Sequence, residues 1–155
     1  MMTEILSPYQ LLDVEIFESV VFVNVDMLEH PLSDDRPLTI QQQFILHNSN
    51  ENDMVCEVQL FIDYKVYHEK IKGSRKKSES VVDLHVALRG LVGVQFEDSV
   101  GEEEKNYLLQ VNAISLLYAE ARSHLVAVTA LSPVGKVILP PINPYAFVES
   151  SLKTE

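Results

Sequence analysis

Five histidines, one cysteine and a short row of acidic side chains are the groups in this 155-residue chain whose types invite a chemical role. His30, His47, His68, His85 and His124 lack the close spacing that brings several imidazoles to one ion, so no metal site is expected, although His47 and His85 could approach across strands. Cys56 stands alone in an apolar run, which excludes an intrachain disulfide or a cysteine zinc cluster and reads as a buried thiol. Asp13, Glu15 and Glu18 resemble paired carboxylates, but no second set of groups accompanies them for acid–base work; they read as solvated charges on a strand face. The chain has no nucleophile elbow, P-loop or dinucleotide fingerprint. Its Gly90-Leu91-Val92-Gly93 lies inside a strand pattern, where glycine marks close packing or a bulge. An enzyme is therefore not expected, and no cofactor is expected either.

Charge narrows the partners. The net charge is −11, and nucleic-acid binding needs clustered Lys and Arg. The one basic run, Arg75, Lys76 and Lys77, reads as a charged hairpin tip that keeps sheet edges soluble. No nucleic-acid partner is expected. An acidic surface suits a cationic or unfolded partner, or simply solubility. The start, MMTEILSPYQ, lacks a charged segment followed by an apolar one, so no secretory signal is read. The most apolar stretch, Tyr107 to Leu131, is broken by Gln110, Asn112, Glu120, Arg122 and His124, which argues against membrane insertion. A cytoplasmic protein is the expectation.

The elements that must position these groups fall into two halves of one domain, 1–155. The first half predicts four long strands, Leu11 to Val25, Leu38 to His47, Met54 to Lys70 and Val81 to Glu97, with polar turns at 30–37, 48–53 and 72–78. Alternation places Leu38, Ile40, Gln42, Phe44 and Leu46 on one face of the second strand. Met54, Cys56, Val58, Leu60, Ile62, Tyr64 and Val66 share a face of the third, and Val82 through Phe96 share one of the fourth.

The second half switches period. Ser99 stands three residues before Glu102, a capping-box spacing, and Glu102 to Glu104 suit the positive end of a helix. Tyr107, Val111, Ile114, Tyr118, Ala121, Leu125 and Val128 then mark one face of a long helix. A further apolar strip, including Leu108, Leu116, Ala119 and Val126, needs another cover, and a second protomer is the natural candidate. Ser132-Pro133 ends the helix, an extended proline-rich crossing follows, and Asn143 caps a short last helix from Pro144 to about Leu152. The fold class is α+β: a four-stranded antiparallel sheet, a long helix and a short C-terminal helix. Phe17, Phe22, Phe44, Phe61, Tyr145 and Phe147 are core side chains or the lining of a groove for apolar peptide.

Two stretches, Leu116 to Arg122 (LLYAEAR) and Val137 to Phe147 (VILPPINPYAF), resemble the SecB family of export chaperones. Leu117, Tyr118, Ala121 and Arg122 match the family's long-helix motif; Leu139, Pro140, Pro141, Ile142, Asn143 and Ala146 match the motif that closes its domain. The resemblance implies a homotetramer, a dimer of dimers, packed through the long helices, with Leu108, Leu116, Ala119 and Val126 at the contact. It implies an ATP-independent holdase for unfolded preproteins or other non-native polypeptides in protein export, or a dedicated chaperone of one client such as the antitoxin of a toxin–antitoxin system. The expected client groove lies between the sheet, at Phe17 and Phe22, and the last crossing and helix, at Ile142, Tyr145, Phe147 and Val148. The SecA motor is a further partner in the family. Here His85 stands where family members carry a docking glutamate, and the early docking acids have no clear match, which counts against SecA more than against client holding. An oligomeric adaptor for a folded partner is the alternative from another class.

Overall fold

The computed structural model describes residues 9–50, 52–69 and 79–153. The basic run Arg75, Lys76 and Lys77 lies outside the described residues. Four strands form one antiparallel sheet: β1 (Tyr9–Val23), β2 (Leu38–Asn50), β3 (Asp53–Tyr67) and β4 (Ser80–Gln95). A long helix, α1 (Glu102–Thr129), and a short one, α2 (Pro144–Leu152), follow. The expected α+β architecture is therefore present.

The strand order is β1-β4-β3-β2. β2, β3 and β4 form a meander, while β1 returns to pair with β4, Val14 opposite Gly90 and Val23 opposite Val82. β4 and β3 are thus central, and β1 and β2 are the sheet's edges. The β2–β3 hairpin is tighter than the six-residue turn expected, because both strands pair up to Asn50 and Asp53.

Alternation decides which face meets the helices. Met54, Cys56, Val58, Leu60, Ile62, Tyr64 and Val66 on β3 are buried, as are Val82, Leu84, Val86, Leu88, Val92 and Val94 on β4. They pack against Leu109, Ala113, Ile114, Leu117, Ala121 and Leu125 of α1 in one core. Each fully buried Leu, Ile or Val contributes roughly 1.5–3 kcal/mol. Gly90 lets the helix come this close: a Cβ there would lie 2.5 Å from Leu117 Cδ1. Cys56 is fully buried, and burial pushes its thiol up to about 12, so it is inert at neutral pH.

The start of α1 differs from expectation. The residue flanking the helix is Gly101, with no side-chain cap, so Ser99 does not close a capping box. Glu102, Glu103 and Glu104 still occupy the first turn, where their negative charge complements the positive end of the helix dipole. Lys105 Nζ reaches Glu102 Oε1 at 3.4 Å and Asn52 Oδ1 at 3.1 Å, tying this end of α1 to the β2–β3 hairpin. Beyond the helix, Gly135 takes a positive φ of 76°, the turn that sends the chain back along α1.

Candidate functional site

The crossing from α1 to α2 is moored to α1 by side chains of α1 itself. Thr129 Oγ1 donates to Leu125 O and accepts the Val137 N–H at 2.8 Å. Arg122 Nε donates to Leu139 O at 3.0 Å, and the Tyr118 hydroxyl donates to Pro140 O at 2.5 Å. Burial is the main reason the Tyr118 phenol is pushed up to about 12; the Arg122 charge acts against it. The two sequence motifs that carried the family resemblance therefore meet in space: Tyr118 and Arg122 of one hold the carbonyls of Leu139 and Pro140 of the other. Extended Pro-rich backbone cannot satisfy its own carbonyls, so these donors fix its path.

The moored crossing then delivers α2. Asn143 caps it, its side chain accepting the Ala146 N–H, with Pro144 in the first turn. Val148 is fully buried and anchors the helix to the core. Tyr145 packs against Tyr107, ring centres 6.2 Å apart, and the Tyr107 hydroxyl donates to Glu149 at 3.1 Å. Burial and then the Glu149 carboxylate raise the Tyr107 phenol above its ordinary value, so it stays a neutral donor.

Between α2 and the edge strand β2 lies an open cleft of about 700 Å³. Ile40, Gln42 and Phe44 of β2 form one wall, Phe147, Ser150, Ser151 and Leu152 of α2 the other, with Gln110 of α1 at the back. No charged side chain among the described residues lines it. Gln42 Nε2 donates to Ser151 Oγ at 3.3 Å, linking the walls. An uncharged cleft with apolar walls and amide and hydroxyl groups suits a neutral segment of polypeptide more than an ion or a reacting substrate.

The expected groove is not assembled as the sequence suggested. Phe17 and Phe22 are 46% and 55% exposed on the opposite face of the sheet, Phe17 against Phe61 and Phe22 opposite Asp83. They also lie on β1, the far edge from the cleft. Period-two alternation and the β1–β4 pairing together separate them from α2, so no groove runs between the two sets. Val148 is correct as part of the α2 constellation but wrong as a contact surface, because it points into the core. Ile142 and Phe147 pack partly on the core, and Tyr145 is half exposed. Of the α1 strip, Ala119 is exposed and Leu108, Leu116 and Val126 are half-buried. The residues missed were Ile40, Gln42, Gln110, Ser150, Ser151 and Leu152. Alternation had already grouped Ile40, Gln42 and Phe44, but their use depends on β2 being an edge, which only the strand order reveals.

The outer face of the sheet carries ion pairs instead. His85 lies between Asp63, 2.8 Å from Nδ1, and Glu18, 3.4 Å from Nε2. Burial alone would lower the His85 pKa, but the hydrogen bonds and charges of Asp63 and Glu18 outweigh it and raise it. Arg89 reaches Glu57 at 3.0 Å and Glu15 at 3.5 Å, and His47 reaches Glu57 at 2.9 Å. The His47 hydrogen bond is the largest of the effects that hold the Glu57 carboxyl below its ordinary value. The three carboxylates singled out in the sequence thus face the outer side or its edge, with Glu15 and Glu18 already paired. His47 and His85 do not come together; each serves a different carboxylate. Among the described residues no group of His, Cys, Asp and Glu has the geometry to hold a metal ion. No helix among them is long and apolar enough to cross a membrane.

No protein-family profile matches the sequence, and no curated protein matches it. Two solved structures are similar in part. A Streptococcus agalactiae protein of unknown function superposes with a TM-score of 0.51 at 11% identity, over 86% of this chain and 97% of that one. A Mycobacterium tuberculosis SecB-like chaperone, solved in complex with a peptide from an antitoxin, superposes with a TM-score of 0.48 at 14% identity, over 86% of this chain and 90% of that one.

Proposed function

We propose that this chain is an ATP-independent holdase that binds extended segments of non-native polypeptide in the cleft between β2 and α2. The observation that carries the proposal is the position of the cleft: it opens beside β2, an edge strand that pairs only with β3 among the described strands. An edge strand offers unpaired N–H and C=O groups to an incoming extended chain, while the cleft beside it takes alternate side chains. Folded proteins rarely present such segments; unfolded ones present many. Binding the unfolded and not the native chain delays aggregation by mass action, with no need of nucleotide. The motif resemblance to SecB supports the same activity, since one matching stretch builds the crossing and the start of α2 and the other, on α1, moors that crossing.

The finer assignments belong to the same proposal. Leu108, Leu116, Ala119 and Val126 are proposed as the contact between copies in a homotetramer, because Ala119 is exposed and the other three are only half-buried, Leu108 and Leu116 at the margin of the core. Several clefts per assembly would then hold one client at several points, binding weakly at each and tightly in sum. The protein acts in the cytoplasm, on export precursors or on one dedicated client. The outer-face pairing favours the dedicated role: Glu15, Glu18, Asp63 and Glu57 are already engaged by Arg89 and His85, which leaves less free acid to dock a basic motor segment such as that of SecA. The test is suppression of aggregation of a chemically denatured protein without nucleotide. Suppression at stoichiometric ratios is expected; a preference for folded over denatured protein would favour an adaptor instead. Co-purification separates one dominant partner from many precursors.

A further inference from the structure

Gln42 holds a buried polar atom that nothing among the described residues satisfies. Its amide nitrogen donates to Ser151 Oγ, and the Ser151 hydroxyl in turn donates to Phe147 O at 3.1 Å. In this arrangement the amide nitrogen, not the carbonyl oxygen, meets Ser151. The Gln42 carbonyl oxygen, Oε1, is then shielded from solvent with no hydrogen-bond partner among the described residues. Buried acceptors are normally paired, and leaving one unpaired disfavours the state that buries it. Here that state is the one in which the last turn of α2 rests on β2.

The two ends of α2 are fastened differently. Its first turns are held by the Asn143 cap, the buried Val148 and the Tyr107–Glu149 hydrogen bond. Its last turn, Ser150 to Leu152, forms the rim of the cleft; Ser150 and Ser151 bond back to Phe147 O within the helix, Ser151 meets β2 at the long Gln42 contact, and Leu152 is largely exposed.

We propose that Gln42 is the polar selector of the cleft: a client segment displaces the last turn of α2 from β2, and a main-chain N–H of that segment takes the Gln42 carbonyl. This rests on the polypeptide-binding function proposed above and specifies how it is met. The donor is a main-chain N–H because every extended segment carries one, whatever its side chains. An apolar residue at position 42 would line the cleft equally well but offer no acceptor. The client's energetic gain at this point is therefore the satisfaction of an acceptor that the closed cleft leaves bare.

The test uses a fluorescent peptide of about a dozen alternating leucine and threonine residues, long enough at ~3.3 Å per residue to run along β2. It is compared with a series in which one backbone nitrogen at a time is methylated. Against the unaltered protein, one methylated position is expected to weaken binding about tenfold, the scale of one net hydrogen bond. Against Gln42→Met that position should cost nothing, and the parent peptide should bind about tenfold more weakly than to Ser151→Ala, which breaks the same Gln42–Ser151 bond but keeps the acceptor. Ser151→Ala provides the opposite case: it releases the turn and keeps the acceptor, so it should bind the parent peptide more tightly. Thermal unfolding of both variants confirms that they fold. If each methylation costs the same in the unaltered protein and in Gln42→Met, the role of Gln42 is refuted while polypeptide binding stands. If neither protein binds any peptide of the series, polypeptide binding in the cleft fails, and the role of Gln42 fails with it.

Discussion

Replacing Tyr118 by phenylalanine should loosen the crossing without disturbing the core. The Tyr118 ring is 4% exposed and packs within the sheet–helix core, so Phe keeps nearly all of its apolar contacts. What it loses is the hydroxyl that donates to Pro140 O at 2.5 Å. A typical net hydrogen bond is worth about 0.5–1.5 kcal/mol, and a carbonyl left short of a donor in a partly buried position adds to that, so a loss of about 1–2 kcal/mol is expected. For a chain of this size each kcal/mol shifts Tm by about 2–4 °C, which gives a fall of about 2–8 °C. The phenol is pushed up to about 12, so it remains a donor throughout the neutral range and the difference should be the same at mildly acidic and mildly alkaline pH. Arg122 holds the adjacent carbonyl, Leu139 O, at 3.0 Å. Because the two donors moor one stretch of backbone, Tyr118→Phe and Arg122→Leu should not add: the double variant is expected to differ from the sum of the singles by at least about 0.5 kcal/mol. Urea titration of the four proteins gives the stabilities, and peptide binding to the same samples shows whether a loosened crossing displaces α2. Unchanged Tm and unchanged binding in Tyr118→Phe would refute the idea that this bond fixes the crossing, and would leave the Arg122 and Thr129 bonds and the packing of the buried Leu139 as its anchors.

Neighbouring α2 positions should separate binding from folding. Phe147→Asp puts a charge in the cleft wall and is expected to abolish client holding with the fold intact by circular dichroism, whereas Val148→Ala empties a core position and should cost about 2 kcal/mol in urea. Equal client holding by Phe147→Asp and the unaltered protein would remove the cleft from consideration. The raised pKa of His85 predicts a pH dependence of stability. The imidazolium is favoured in the folded state, so its contribution is complete below the ordinary value of 6.5 and is lost as pH rises through the higher folded value. A scan of Tm against pH should therefore show a decline on the alkaline side of 6.5 that His85→Gln flattens; an identical slope in both proteins would show that the Asp63 and Glu18 pairs do not act on stability. Gly90→Ala drives a Cβ against the fully buried Leu117 and is expected to lower stability by about 1–3 kcal/mol, and an unchanged urea midpoint would mean that α1 can shift to make room.

The elements were legible in the sequence because each has a local cause. Period-two alternation from Met54 to Val66 and from Val82 to Val94 marks the buried faces of β3 and β4, and those faces are buried. Asn143-Pro144 marks the start of α2, since a short polar cap and a residue without an N–H suit that position alone. The capping box at Ser99 failed because its spacing fits but the helix begins after Gly101, where no side chain caps it. The site was legible only in part. Phe147, which lines the cleft, stood out in the sequence as an aromatic after a proline-rich crossing. Phe17 and Phe22 were grouped with it in error: nothing local states that β1 crosses over to pair with β4, and that pairing turns them to the opposite face at the far edge. Gln42 gave no signal either, because a glutamine in an alternating strand reads as an ordinary polar interruption until the helix that covers it is known.

The central claim, that the chain holds non-native polypeptide through the cleft between β2 and α2, is tested most directly by light scattering from a denatured protein diluted into buffer. The unaltered protein and Phe147→Asp are compared without nucleotide, each with its mass in solution measured on the same sample. Suppression by the unaltered protein, at a mass near four chains, and its loss in a folded Phe147→Asp of the same mass is the predicted result. Aggregation that proceeds equally with the unaltered protein present would contradict the claim.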